Sequence, residues 1–201
     1  MDITNEEQLR ALYGLPSGRA KVKVLSALDV HAKNFIEQSP FLTIATTSQA
    51  GQMDVSPRGG VKGFVHIVDD YTIIIPDAKG NNRLDSLTNI IETKGIGMLF
   101  FLPGVDETLR INGNAVLSTN PLYLEQYKGD LNPPKTCIVV SINEVFLHCA
   151  KAFMRSKLWD VDAQIKRSEF PTMGQMLKDQ INSTEEPETM ENMVKRYQKD
   201  L

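Results

Sequence analysis

The chain has 201 residues, 41% of them hydrophobic and 23% charged, and a formal net charge of −3 at pH 7. Those values suit one sizeable domain with appendages, and the acidic balance argues against a general nucleic-acid or membrane-surface binder. No apolar run approaches the roughly 18 residues of a transmembrane helix, and the acidic start MDITNEEQLR lacks the apolar core of a secretory signal. In chain order, Thr4-x-x-Glu7 reads as a capping box that opens a first helix carrying Leu9 and Leu12, stopped at Gly14. Leu25, Leu28, Ala32, Phe35 and Ile36 recur at helical spacing, so a second helix is expected from Ala20 to Gln38, ahead of Pro40. The character then changes to strands. Phe41–Thr47 and Met53–Ser56 flank a turn at Ser48–Gly51, and Pro57–Gly60 reads as an interruption. Phe64–Val68 and Tyr71–Ile75 form a hairpin about Asp69-Asp70. After one inserted helix come Gly97–Leu102 and Thr108–Val116, with Gly113 marking a bulge or a close backbone approach. A short helix at Pro121–Tyr127, a rigid connector at Asn132–Pro134, a last strand at Thr136–Ile142 and a core helix at Val145–Trp159 follow. Beyond Asp162 the composition shifts to charge and methionine, and two amphipathic helices, Thr172–Ile181 and Pro187–Gln198, read as a lid or arm. Short strands with one inserted helix indicate a small antiparallel barrel of six or so strands, mainly β with flanking helices. The expected domains are N-terminal helices over 1–40, the barrel over 41–162 and a helical arm over 163–201.

The inserted helix carries the first chemical hint. Pro76 ends the strand before it, Asp77–Gly80 forms a loop, and Asn81 and Asn82 offer two N-cap side chains. Leu84, Leu87, Ile90 and Ile91 fall on one face, and Lys94-Gly95 closes the helix. A helix start leaves unpaired N–H groups and a partial positive charge. With Lys79, Arg83 and the two Asn amides beside it, a phosphate would satisfy every group at once. The alternative is a capped helix whose cations face water. Arg58-Gly59-Gly60 at a strand end suits close approach to a flat ligand with an arginine forked onto phosphate, or else a bulge with a solvated arginine. Lys151, Arg155 and Trp159, spaced i, i+4, i+8, make a stripe that a shared anion would stabilise against cation repulsion. A solvated stripe with arginine over the indole is the other reading. His31, His66 and His148 sit in separate elements without zinc-ligand spacing. His148 and Cys149, as consecutive helix residues, point apart and form no dyad. The two cysteines, Cys137 and Cys149, read as buried thiols in a reducing cytoplasm. With no nucleophile, metal motif or dinucleotide fingerprint in view, redox chemistry by an organic cofactor is the better enzyme reading.

The order of motifs then carries a resemblance. Asp54-Val-Ser-Pro-Arg-Gly59, Ile75-Pro-Asp, Gly80-Asn-Asn-Arg-Leu-Asp85, Glu107-Thr-Leu-Arg-Ile-Asn-Gly113, His148-Cys-Ala-Lys151 and Arg155-Ser-Lys-Leu-Trp159 together resemble the pyridoxamine 5′-phosphate oxidase-related split-barrel proteins over about residues 20 to 162. The resemblance implies a split β-barrel homodimer with flavin mononucleotide (FMN) at the subunit interface. By position, Arg58, Gly59, Gly60, Val61 and Lys62 would border the flavin ring and ribityl chain. Ile75 and Pro76 would lie along the cofactor, and Asn81, Asn82 and Arg83 would hold its phosphate. Thr108 replaces a family glutamine near the flavin, with Arg110 two residues on. Lys151, Arg155 and Ser156 would reach in from the partner. Where the true oxidases end in Arg-Leu-His, this chain has Arg155-Ser-Lys-Leu-Trp159 and then an acidic arm. Pyridoxamine 5′-phosphate is therefore not the expected substrate. The expectation is a cytoplasmic FMN-binding oxidoreductase acting on a small molecule or electron donor, with neither nucleic acid nor membrane as partner. A flavin- or haem-binding carrier or sensor is the rival.

Overall fold

The computed structural model describes residues 2–200, and at 19 and 20 the backbone alone. Residues 1 and 201, the outer limits of the expected terminal segments, lie outside the described residues. Helices α1 (Glu6–Tyr13), α2 (Arg19–Val22) and α3 (Val30–Gln38) lead into β1 (Phe41–Thr47), β2 (Met53–Gly59), β3 (His66–Asp69) and β4 (Thr72–Pro76). Then come α4 (Asp85–Thr93), β5 (Gly95–Leu102), β6 (Val105–Ser118), α5 (Pro121–Leu124), β7 (Cys137–His148) and α6 (Lys151–Ser156). Two further helices, α7 (Met173–Gln180) and α8 (Met190–Tyr197), complete the chain. Seven antiparallel strands form one sheet in the order β2-β1-β5-β6-β7-β4-β3, so the class is mainly β with helices and β2 and β3 are its edges.

One face of every central strand is apolar, and the sheet curls around it. Leu42 and Ile44 of β1 share a single core with Met98 and Phe100 of β5 and with Leu109 and Ile111 of β6. Ile138 and Val140 of β7, and Ile73 and Ile75 of β4, close the same cluster. Phe35 and Ile36 of α3 and Leu87 and Ile90 of α4 cover it. Each fully buried aliphatic or aromatic side chain contributes about 1.5–3 kcal/mol relative to exposure. Gly113 sits at a register shift between β6 and β7, as its place in the sequence implied.

Several boundaries move, each for a physical reason. Strand β2 runs straight through Pro57, which pairs with Thr43; an edge strand tolerates the missing N–H. The expected Ala20–Gln38 helix breaks before Asp29, whose carboxylate caps α3 by accepting the Ala32 N–H at 2.8 Å. Upstream, Leu25 exchanges two backbone hydrogen bonds with Val145, at 3.0 and 2.8 Å. That docking is possible because β4 pairs only with Cys137–Ser141, leaving the far half of β7 open on that side. The Val145–Trp159 helix is also displaced. Strand β7 continues to His148 because the first half of the long β6 needs a partner. Helix α6 then covers only Lys151–Ser156 and ends at Lys157 in the left-handed region, φ 51°. Helix α4 starts late, at Asp85, after Leu84 takes φ 60°. Lys94, at φ 64°, is its C-cap, and Gly95 opens β5. Of the four apolar residues expected on its face, Leu87 and Ile90 are buried while Leu84 and Ile91 are 51% and 70% exposed.

The arm helices are present close to their expected limits. Thr172 and Thr189 cap α7 and α8 through hydroxyls that accept from Gln175 and Asn192 N–H at 3.1 and 3.2 Å. After α8 the chain folds back on the loops beside the sheet, where Asp200 pairs with Lys79 at 2.6 Å and the Lys199 carbonyl accepts from Asn132 Nδ2 at 3.3 Å. The two thiols differ. Cys137 is buried, and burial pushes it up to about 11, whereas Cys149 is exposed, contrary to the reading of both as buried.

Candidate functional site

Side-chain alternation along β2 builds the site. Arg58, Ser56 and Asp54 pair with Leu42, Ile44 and Thr46, so they project toward the face on which those residues are buried. As β2 is an edge, no further strand covers that flank, and a cleft of about 920 Å³ opens there. Its walls are β2, the Pro76–Asp85 segment, the first turn of α4, and Asn132, Pro133 and Lys135. A volume near 920 Å³ is at the upper end for a small-molecule or cofactor site.

The electrostatics of the cleft are unusual at one atom. Arg58 Nη1 donates to the Pro57 carbonyl at 2.8 Å, while its Nε is buried with no partner among the described residues. Burial lowers the Arg58 pKa, opposed by the fields of Asp77 and Asp54. Burial likewise raises the Asp77 carboxyl, tempered by Arg58. Asp54 accepts from the Ser56 hydroxyl at 3.0 Å and from Ser86 at a shorter distance, tying β2 to α4. Arg83 pairs with Asp85 at 2.8 Å, which raises the Arg83 pKa. Four cations, Arg58, Lys79, Arg83 and Lys135, thus face three carboxylates, Asp54, Asp77 and Asp85. Among the described residues no side chain caps α4, and Leu84, Asp85, Ser86 and Leu87 all line the cleft. Its unpaired first-turn N–H groups therefore open toward the same space.

Comparison with known proteins decides the family. Over residues 28–149 the chain matches the family described as pyridoxamine 5′-phosphate oxidase. The chain belongs to the pyridoxamine 5′-phosphate oxidase family. Among solved structures, Group A Streptococcus HupZ is similar in fold, with TM-score 0.51 at 18% identity, covering 60% of this chain and 93% of that one. A Clostridium acetobutylicum protein related to general stress protein 26, of the pyridoxinephosphate oxidase family, gives 0.45 at 11%, covering 59% and 86%. The FAD binding protein from Mycobacterium smegmatis gives 0.41 at 12%, covering 62% and 97%. No curated protein matches the sequence.

For this family member, the cleft gathers part of the set expected from sequence. Arg58, Gly59, Pro76, Lys79, Asn81, Asn82 and Arg83 line it. Asn81 and Asn82 do so from the loop, since Asn81 Oδ1 accepts the Arg83 N–H at 3.1 Å and caps no helix. Ile75 is fully buried in the core. Gly60 is required by Phe64, whose Cβ and Cγ would lie 2.7 and 2.8 Å from an added Cβ. Val61 and Lys62 are exposed on the loop that follows β2. Thr108 is buried opposite His148, and Arg110 lies over the Phe146 ring at 5.5 Å, both away from the cleft. Lys151, Arg155 and Ser156 are exposed on α6, where the Ser156 hydroxyl donates to the Phe153 carbonyl at 3.1 Å. Trp159 lies beyond the helix, so the expected stripe does not form. Its indole N–H donates to Val105 O at 2.9 Å and its ring stacks on Phe153 at 5.5 Å. Sequence reasoning missed Asp54, Ser56, Asp77, Ser86, Asn132 and Lys135. Reading the strand alternation through Pro57 would have placed residues 54, 56 and 58 on one face. Nothing local could have brought Ser86 to Asp54.

Proposed function

We propose that the protein is an FMN-binding oxidoreductase that works as a homodimer of split barrels, with the cleft beside β2 as its cofactor seat. The observation carrying this reading is the buried, unpartnered Arg58 Nε in a cleft that also gathers Lys79, Arg83 and the uncapped start of α4. A buried donor without an acceptor costs about 1–3 kcal/mol, and a phosphate-bearing ligand supplies acceptors. The donor set fits such a group. Asn81, Asn82, Arg83, Lys79 and the first-turn amides of α4 would hold the phosphate. Arg58, Gly59 and Pro76 would border the ring and its chain. Bound there, FMN would supply electron transfer with a small organic substrate or donor. The Asp54–Ser56–Ser86 network fixes the spacing between β2 and α4 and keeps Asp54 from opposing the anion at full strength. Lys151, Arg155 and Ser156 lie outside their own cleft, and they would complete a neighbour's. The outer face of the β2 edge, with Met53 and Val55 at 70% and 65% exposure, favours a second copy as the cover.

Two measurements test this reading. Denaturing the purified protein and chromatographing the supernatant is expected to release FMN. Failure to bind FMN both as purified and on reconstitution would defeat the proposal. Light scattering is expected to give a dimer at micromolar concentration, since such an obligate interface buries above about 2,000 Å². A flavin-loaded monomer would remove the partner's α6 from the site.

A further inference from the structure

The helical arm that follows the sheet returns to the cleft at its rim. Lys79 and Asn132 both line the cleft. Asp200 pairs with Lys79 Nζ at 2.6 Å, and the Lys199 carbonyl accepts from Asn132 Nδ2 at 3.3 Å. Neither Lys199 nor Asp200 belongs to the cleft lining, so they hold these two side chains from outside it. Among the described residues, no other hydrogen bond or ion pair joins residues 173–200 to the chain before residue 160.

The arm is tied to itself. A Cβ added at Gly174 would overlap the Glu188 carbonyl oxygen, so the first turn of α7 packs directly on the chain that enters α8. The Glu188 carboxylate pairs with Arg196 of α8 at 2.7 Å. Yet neither α7 nor α8 contains a buried residue. Elements with few buried contacts open at low cost. The Lys79 side chain is 64% exposed, and a pair so exposed adds little to hold the arm down.

Two exposed cations at this end of the cleft are thus already engaged. Arg83 is paired with Asp85, its near neighbour in sequence. Lys79 is paired with Asp200, 121 residues away and on a segment that can move apart from it. The Asp200 carboxylate takes one of the three ammonium donors and repels any anion brought to the other two. We propose that the arm is an autoinhibitory latch, in which Asp200 withholds Lys79 from a phosphate-bearing ligand and is displaced when that ligand binds. The latch rests on the reading of the cleft as the seat of such a ligand. Linkage makes it reciprocal: the docked arm weakens ligand binding, and the bound ligand loosens the arm.

FMN and riboflavin should be titrated by flavin fluorescence into the full chain and into Asp200→Asn at low ionic strength. Asp200→Asn is expected to tighten FMN by about two- to fivefold, the range of one exposed ion pair. Riboflavin, which has no phosphate, should bind both proteins equally. In a Lys79→Gln background the gain from Asp200→Asn should vanish. Glu186→Gln, which neutralises another exposed acid of the arm, should match wild type. Hydrogen exchange of the α8 amides should quicken at saturating FMN. Weaker FMN binding by Asp200→Asn would mean that the arm presents Lys79 to the ligand, and would overturn the latch. An equal gain for riboflavin or from Glu186→Gln would overturn it too, as would α8 exchange that ignores FMN. FMN binding that is the same with and without the Asp200 carboxylate removes the latch alone. Absence of FMN binding in every variant removes the cofactor seat and the latch with it.

Discussion

Arg58→Ala is expected to weaken FMN binding by roughly ten- to a hundredfold, the loss of a charge-assisted hydrogen bond worth about 1.5–3 kcal/mol. In acid, the same change should leave the cofactor-free protein as stable as before, or more so. The guanidinium is half-buried, and its Nε lacks an acceptor. Removing it deletes an uncompensated donor in the free state but a satisfied one in the loaded state. Asp77 sets a pH dependence on top of this. Its folded pKa is already raised by burial, so its ionised form costs stability once pH exceeds the unfolded value. Without Arg58 that pKa rises further and the cost at neutral pH grows. The stability of the variant relative to wild type should therefore be greatest in acid and fall as pH rises through the Asp77 pKa. Fluorescence titration with FMN and thermal melts of the free protein at two pH values separate these effects. A parallel loss of affinity and of stability in acid would mean that Arg58 acts through folding and not on the ligand.

Arg83 invites the opposite expectation from its place in the structure. Its side chain is 74% exposed and paired with Asp85 at 2.8 Å, so a phosphate must compete with a partner already present. Exposed pairs contribute only about 0–1 kcal/mol, and Arg83→Ala should cost less affinity than Arg58→Ala. Sequence reasoning set Arg83 at the phosphate, with Lys79 and the two Asn amides, because it sits beside the expected helix start. It could not see that Asp85 would be spent on it.

The difference between these two arginines shows which parts of the molecule were legible in advance. Strands such as Tyr71–Ile75 and Phe41–Thr47 announce themselves through β-branched runs and alternation, and Gly113 through its place inside one. What local pattern does not carry is which strand lies at an edge. Pro57 breaks a central strand but not an edge strand, so β2 was cut short and the shared face of Asp54, Ser56 and Arg58 went unseen. In the same way Val145–His148 reads equally as helix or strand until the length of β6 demands a partner. Its reassignment moved Trp159 off the Lys151–Arg155 stripe and revealed Phe146 and His148 as neighbours of Arg110. Cleft residues close in sequence, Lys79 to Arg83, were found; those joined by pairing across about thirty positions, such as Asp54 and Ser86, were not.

Gly113→Ala is expected to destabilise the fold by about 3 kcal/mol, the upper end for forcing an atom into a packed interior. An added Cβ would overlap the Ser141 carbonyl oxygen and lie 3.0 Å from Val140 Cγ1. The neighbouring backbone cannot retreat, because β7 is held from its other side. Ser141 pairs with Thr72 of β4, and the Ile142 N–H donates to the Tyr71 carbonyl at 2.8 Å. Shifting β7 away from β6 would therefore strain two ladders at the centre of the sheet. For a chain of this size each kcal/mol moves the melting temperature by about 2–4 °C, so the variant should melt roughly 6–12 °C lower. Gly80→Ala is the matched control, because nothing lies within 4 Å of its added Cβ and its φ is not positive. It should be neutral or gain about 0.4–1 kcal/mol by restricting the unfolded chain. Equal melting of the two variants would mean that β6 and β7 do not approach at Gly113, and the register that sets Arg110 against Phe146 would fall with it.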